Sequence, residues 1–317
     1  MGNEKLAMSI TLIITDRDVQ PLRRHIETEL QGATPVWIYP DIPQPDWVEM
    51  AVVWKHPPQV LRSFPNLKLV SSLGAGVEHI LNDLTLPPAL RITRIVDENL
   101  TISMRNYVLM AVLSIHKQLK FYQNNQQQAR WEKPNQIEIP LRIGMLGLGV
   151  LGGSIAGSLA GLGFEVSGYS QNPRNIPGVR CLHAGEASLA EFVRQVNLLI
   201  CLLPRTAATE GILNYELFRR LPQGSFLINV ARGAHLDEDG LLLALKEGKI
   251  REAWLDVFQE EPLPEAHPFW QHPSIVMTPH IASITNPESA AKIVADNYRR
   301  LKAGQELLFE VDEKRGY

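Results

Sequence analysis

Three segments in the second half of this chain are apolar runs that lead to a residue capable of ionic chemistry. Phe226-Leu227-Ile228-Asn229-Val230-Ala231 leads to Arg232 and Gly233. Ala253-Trp254-Leu255-Asp256-Val257-Phe258 leads through Gln259 and Glu260 to Glu261 and Pro262. Ile275-Val276-Met277-Thr278-Pro279 leads to His280. A fixed guanidinium stabilises negative charge developing on oxygen, and an imidazole can protonate that oxygen near neutral pH. A carboxylate beside the imidazole favours its charged, proton-donating form. Each residue also has a plainer use. Arg232 could cap its strand by binding carbonyls, Glu261 could start a turn before Pro262, and a lone histidine among nine is usually structural.

A fourth segment binds rather than reacts. Leu141 to Leu146 reads as a buried strand, and Gly147-Leu148-Gly149-Val150-Leu151-Gly152 opens a helix directly after it. Gly147 allows the tight turn, Gly149 lets backbone approach a pyrophosphate, and Gly152 lets helix and strand pack closely. The helix N-terminus, through Val150 and Leu151, offers N–H groups and a positive dipole end to phosphates. A second strand, Phe164 to Tyr169, follows at the spacing a dinucleotide fold needs. Its end carries Ser170-Gln171-Asn172-Pro173-Arg174 and no acid to accept from ribose hydroxyls. Ser170 and Arg174 could instead donate to a 2′-phosphate, so NADP, and NADPH over NADH, is the expected cofactor. A polar surface loop is the plainer alternative.

Strand-like runs alternate with helical stretches almost throughout, the pattern of parallel sheets wrapped by helices. In the first part these are Ser9 to Ile14, Val36 to Ile38, Met50 to Trp54 and Leu67 to Ser71, with a helix over Pro21 to Leu30. Met104, Val108, Ala111, Ile115, Leu119 and Tyr122 mark one face of a long helix. A stronger alternation runs from Leu141 to about Ile284, and a last helix from Pro287 to Ala303. The expected fold is α/β, with two doubly wound parallel-sheet (Rossmann-like) domains and a cleft between them. One is discontinuous, 1–104 plus 285–317, and would carry substrate; the other, 105–284, would carry the dinucleotide.

A length of 317 residues suits two cores rather than one. The net charge of −3 gives no electrostatic reason to expect nucleic acid or an anionic membrane as partner. Two cysteines, Cys181 and Cys201, cannot form a disulfide framework. No run reaches transmembrane length, and Met1 to Leu6 carries neither a secretion signal nor a myristoylation pattern. A cytoplasmic protein is the expectation.

Together these motifs resemble the D-2-hydroxyacid dehydrogenase family. The resemblance rests on the glycine fingerprint, Asn229-Val230-Ala231-Arg232-Gly233, Leu255-Asp256-Val257-Phe258 before Glu261-Pro262, and Thr278-Pro279-His280. Within the family, the chain looks most like the bacterial glyoxylate/hydroxypyruvate reductase A group. The residues are Val53-Trp54 with His56-Pro57-Pro58, Leu73-Gly74-Ala75-Gly76-Val77, Leu202-Leu203-Pro204 and Arg315-Gly316-Tyr317.

The resemblance implies reduction of small 2-keto acids, glyoxylate to glycolate and hydroxypyruvate to glycerate. It makes Arg232 the group that holds the carboxylate and polarises the carbonyl, His280 the proton donor, and Glu261 its partner. It adds Leu203, Pro204 and Ala231 to the cofactor contacts, and no metal. Asp256 either approaches the nicotinamide amide or supports its neighbours. Gly74-Ala75-Gly76 serves either a turn or, with Leu73, the substrate carboxylate. Trp54 and Trp131 are candidates for a pocket wall. Many relatives have a glutamate where this chain has Asn106, which leaves that position without an expected role. A homodimer through the cofactor domain is also implied. The rivals are a dehydrogenase of another 2-hydroxy acid and a non-catalytic dinucleotide sensor; turnover of NADPH with 2-keto acids separates the classes.

Overall fold

The computed structural model describes residues 8–87 and 89–312. Met1 to Leu6 and Arg315-Gly316-Tyr317 lie outside the described residues. The chain divides into two compact units, 1–100 with 284–317 and 101–283.

The first unit contains β1 (Ser9–Ile14), α1 (Gln20–Glu29), β2 (Val36–Ile38), β3 (Val48–Trp54), β4 (Leu69–Ser72), α2 (Glu78–Leu81) and β5 (Arg91–Arg94). The strands form one parallel sheet in the order β2-β1-β3-β4-β5. β1 is buried along its whole length, because both faces of the sheet are covered and an uninterrupted apolar run satisfies both. On one face Leu22 and Ile26 of α1 meet Ala290, Ala291, Val294 and Tyr298 of the helix Pro287–Ala303. On the other, Leu61, Phe64 and Ile80 pack against Ile13, Val53 and Val70.

α3 (Glu98–His116) crosses the dividing line and α4 (Leu119–Gln127) follows. The spacing predicts a single helix to Tyr122, but the chain turns at Gln118, whose φ is +56°. Met104, Val108, Ala111 and Ile115 are buried, while Leu119 and Tyr122, beyond the turn, are exposed. The second unit continues with β6 (Arg142–Leu146), α5 (Val150–Gly161), β7 (Glu165–Ser170), β8 (Val179–His183), α6 (Leu189–Val193) and β9 (Leu198–Cys201). Then come α7 (Tyr215–Phe218), β10 (Ser225–Asn229), α8 (Glu238–Lys246), β11 (Ile250–Leu255), β12 (Ile275–Met277) and, back in the first unit, α9 (Pro287–Ala303). All seven strands of the second unit are parallel, in the order β12-β11-β10-β9-β6-β7-β8. Cys201 is fully buried in this sheet's core. Among the described residues no helix is long and apolar enough to cross a membrane.

Candidate active site

Because the second sheet is parallel, every strand delivers its following loop to the same edge. β12, β11 and β10 are neighbours, so the loops bearing His280, Glu261 and Arg232 emerge side by side, at strand spacings of about 5 Å. The loop after β9 carries Leu203 and Pro204, and the turn after β6 carries the glycine fingerprint.

His280 Nδ1 lies 2.9 Å from Glu261 Oε2, with both side chains partly buried. The other carboxylate oxygen, Oε1, accepts from the Phe258 N–H at 3.2 Å. Glu261 is therefore fixed by its own loop and holds one ring nitrogen, which leaves Nε2 as the atom to exchange a proton with a ligand. The His280 loop is fixed from beneath by Asp256. Its Oδ1 accepts from the Thr278 hydroxyl at 2.6 Å and the Ile281 N–H at 2.8 Å, and its Oδ2 from the Ala282 N–H at 2.8 Å. Thr278 spends its proton on Asp256, so at 2.5 Å the Tyr107 hydroxyl must be the donor to Thr278. Burial pushes the Asp256 carboxyl above its ordinary range, opposed by the Thr278 hydroxyl, the Ala282 and Ile281 amides and His280. Burial also pushes Tyr107 up to about 12. Of the two roles open to Asp256, support of the His280 loop is the one these hydrogen bonds carry, from a side chain 1% exposed.

Arg232 follows β10 in extended conformation and is half-buried. Its Nη1 donates to the Ala231 carbonyl at 2.7 Å. Asn229 shapes the turn, accepting from the Ala231 N–H at 3.2 Å and donating to the Arg232 carbonyl at 3.1 Å. Both backbone groups of Ala231 thus take part in building the arginine turn. Gly233 explains the glycine after the arginine: a Cβ there would lie 1.9 Å from the Phe258 carbonyl. The arginine turn therefore packs directly on the loop that holds Glu261.

The glycine turn fits a dinucleotide. Gly147 has φ +97°, and a Cβ on it would lie 2.8 Å from the Leu202 carbonyl oxygen, whereas one on Gly149 would enter open space. Gly149 begins α5 without a side-chain cap, so the first-turn N–H groups of Val150, Leu151 and Gly152 are left for a phosphate. At the end of β7 the Ser170 hydroxyl donates to the Asn172 carbonyl at 2.7 Å and is buried, whereas Arg174 is exposed. The single Ser170 proton braces the loop, which leaves Arg174 as the stronger candidate for a 2′-phosphate.

In the first unit, the N–H groups of Ala75 and Gly76 donate to no acceptor among the described residues. The loop around them is braced by Ser72 Oγ donating to the Gly76 carbonyl at 2.6 Å and by Ile95 N–H donating to the Gly74 carbonyl at 3.1 Å. Two adjacent N–H groups on a braced loop suit a carboxylate. Leu73 is a correction: it is 6% exposed within the core, its N–H donates to Val53 and its carbonyl accepts from Thr285. Trp54 is half-buried, with the His79 ring edge-on at 4.9 Å and the Arg17 guanidinium 5.9 Å from the indole. Trp131 is the second correction. It is wholly exposed on the second unit rather than packed against neighbouring side chains.

The family model for the NAD-binding domain of D-isomer specific 2-hydroxyacid dehydrogenases matches residues 109–282. Glyoxylate/hydroxypyruvate reductase A of Yersinia enterocolitica is 44% identical over 276 residues, 85% of this chain and 88% of that protein. The chain belongs to the D-isomer specific 2-hydroxyacid dehydrogenase family. Among solved structures, a D-isomer specific 2-hydroxyacid dehydrogenase from Xanthobacter autotrophicus in complex with NADPH and MES matches with TM-score 0.92 and 37% identity, over 98% of this chain and all of that one. An NADPH-dependent glyoxylate/hydroxypyruvate reductase from Sinorhizobium meliloti in complex with NADP and sulfate matches with TM-score 0.89 and 32% identity, again over 98% and 100%.

This 2-hydroxyacid dehydrogenase also uses residues that its sequence does not announce. Tyr107 lies 171 positions from Thr278, a pairing that no local spacing signals. Asn229, an amide inside an apolar run, is the exception: a polar group at the end of a buried strand needs partners, and it finds them in the arginine turn.

Proposed function

We propose that this chain reduces small 2-keto acids with hydride from NADPH, glyoxylate to glycolate and hydroxypyruvate to glycerate. The observation that carries the proposal is the His280–Glu261 pair, set at the carboxyl edge of the sheet whose β6 turn is built for a dinucleotide. The bound cofactor supplies a hydride to C2 of the keto acid. Arg232 holds the substrate carboxylate and stabilises negative charge growing on the C2 oxygen. His280 Nε2 gives that oxygen its proton, and Glu261 keeps the ring oriented through Nδ1. The Ala75 and Gly76 N–H groups are proposed as further carboxylate donors. Asp256, through Thr278, Ile281 and Ala282, holds the His280 loop still. The proposed setting is the cytoplasm.

A panel of 2-keto acids, run with NADPH and NADH side by side, tests the assignment. Glyoxylate and hydroxypyruvate should exceed pyruvate, with phenylpyruvate and phosphorylated acids poor. Trp54 is the proposed limit on substrate size, so Trp54→Ala should admit larger keto acids and lose efficiency with glyoxylate. If phenylpyruvate is the best substrate of the unmodified enzyme, the small-pocket reading is wrong. If no keto acid is turned over, the reductase reading fails as a whole.

We also propose a homodimer through the cofactor domain. Met110, Leu113, Leu119, Tyr122, Trp131 and Ile137 are exposed there, apolar side chains that a second copy would cover. Light scattering should give twice the mass of one chain, and a monomer at micromolar concentration would overturn this.

A further inference from the structure

His235, three residues after Arg232, is fully buried, and both of its ring nitrogens meet backbone. Nε2 lies 3.1 Å from the Pro204 carbonyl oxygen, which can only accept, so Nε2 carries a proton. Nδ1 lies 3.2 Å from the Arg232 amide, which donates to it. The Arg232 carbonyl, 3.1 Å from the same Nδ1, already receives the His235 N–H at 3.2 Å and Asn229 Nδ2 at 3.1 Å. The neutral ring protonated at Nε2 therefore satisfies both contacts at once. Pro204 accepts a second bond from Thr209 Oγ1 at 2.6 Å, which holds its carbonyl in place. The loop containing Pro204 is in turn anchored to the dinucleotide turn: Leu202 N–H donates to Leu146 at 2.9 Å, and the Leu202 carbonyl crowds Gly147.

We propose that His235 is a positioning residue that registers Arg232 against the dinucleotide turn. The inference rests on the role proposed for Arg232. The contacts run without a break from Gly147 through Leu202 and Pro204 to His235 and the Arg232 amide. An apolar side chain could fill the same volume, but it would leave the Arg232 N–H buried without its acceptor and Pro204 without its second donor. The guanidinium that receives the substrate carboxylate is thus indexed to the turn that receives the cofactor, and a small shift between them misaligns the two reactants.

The test is a double-mutant cycle in the full chain, with glyoxylate and NADPH. His235→Asn keeps an amide near the Nδ1 position and removes the reach to Pro204; it should lower kcat/KM about tenfold, mainly through kcat, because misplacement penalises the reacting geometry. NADPH affinity, read by nicotinamide fluorescence, should change by less than about threefold, since the fingerprint turn is untouched and Thr209 still holds the Pro204 carbonyl. In an Arg232→Lys background, the same substitution should add less than about twofold, because residues acting through one another are not additive. A loss of equal size in both backgrounds overturns the proposal, as does unchanged kcat/KM in the folded single variant. If His235→Asn does not fold, His235→Gln carries the same test, since it keeps the Pro204 donor and loses the Arg232 acceptor. Unchanged kcat/KM in Arg232→Lys alone would instead sink the role of Arg232 itself.

Discussion

Replacing Arg232 or His280 with alanine is expected to lower kcat/KM for glyoxylate by at least about a hundredfold, the low end of what a positioned proton donor contributes. The two losses should differ in kind. His280→Ala removes a group needed only as charge reaches the C2 oxygen, so kcat should fall with little change in KM. Arg232→Ala removes a carboxylate anchor as well as a stabilising charge, so KM should rise while kcat falls. NADPH binding should be nearly intact in both. The fingerprint turn follows β6, whereas these residues follow β10 and β12 on the same edge. Steady-state kinetics with a separate NADPH titration separates these effects. Retention of more than about a tenth of activity by either variant would remove that residue from the mechanism, because a general acid contributes at least two decades.

The parallel α/β architecture is legible because fully buried strands must be apolar along their whole length. β1, β9 and β10 are such strands, each a run of apolar or small residues that only Asn229, at the end of β10, breaks. β5 and β8 are invisible to the same logic. They occupy the ends of their sheets, and Arg91-Ile92-Thr93-Arg94 and Val179-Arg180-Cys181-Leu182-His183 mix polar with apolar residues. At an edge the strand is open to solvent on one side, so polar residues are tolerated and the apolar signal fades. The ionic residues of the site are legible because charged groups at the ends of buried strands need a reason. Leu73 and Trp131 mislead for the opposite cause: a lone apolar residue does not say whether it will be core, wall or surface, and only packing decides. His235 is hidden because its partner Pro204 lies 31 positions away. Asp256 could be found but not assigned, since its work is done with backbone amides 25 and 26 positions further on.

Cofactor choice should be clear and should reside chiefly in one side chain. The unmodified enzyme is expected to prefer NADPH to NADH through KM, and Arg174→Ala should remove most of that preference. The reason lies in the loop after β7. Ser170 is buried with its only proton given to Asn172, so it braces the loop, whereas Arg174 is exposed on the same loop with a charge matched to a 2′-phosphate. A charge-assisted hydrogen bond contributes on the order of 1.5–3 kcal/mol, so loss of Arg174 should raise the NADPH KM roughly ten- to a hundredfold. The NADH value should hardly move, because no phosphate is present to miss the guanidinium. Adding Ser170→Asp should then reverse the preference. A carboxylate at the end of β7 accepts from ribose hydroxyls and repels a phosphate. The substitution also frees the Asn172 carbonyl, so part of its effect will appear as a looser loop, visible as a rise in KM for both cofactors. That shared rise leaves their ratio unchanged, so the ratio is the quantity to read. Equal use of NADPH and NADH by the unmodified enzyme would sink the assignment, and a preference that survives Arg174→Ala would move the 2′-phosphate to other residues.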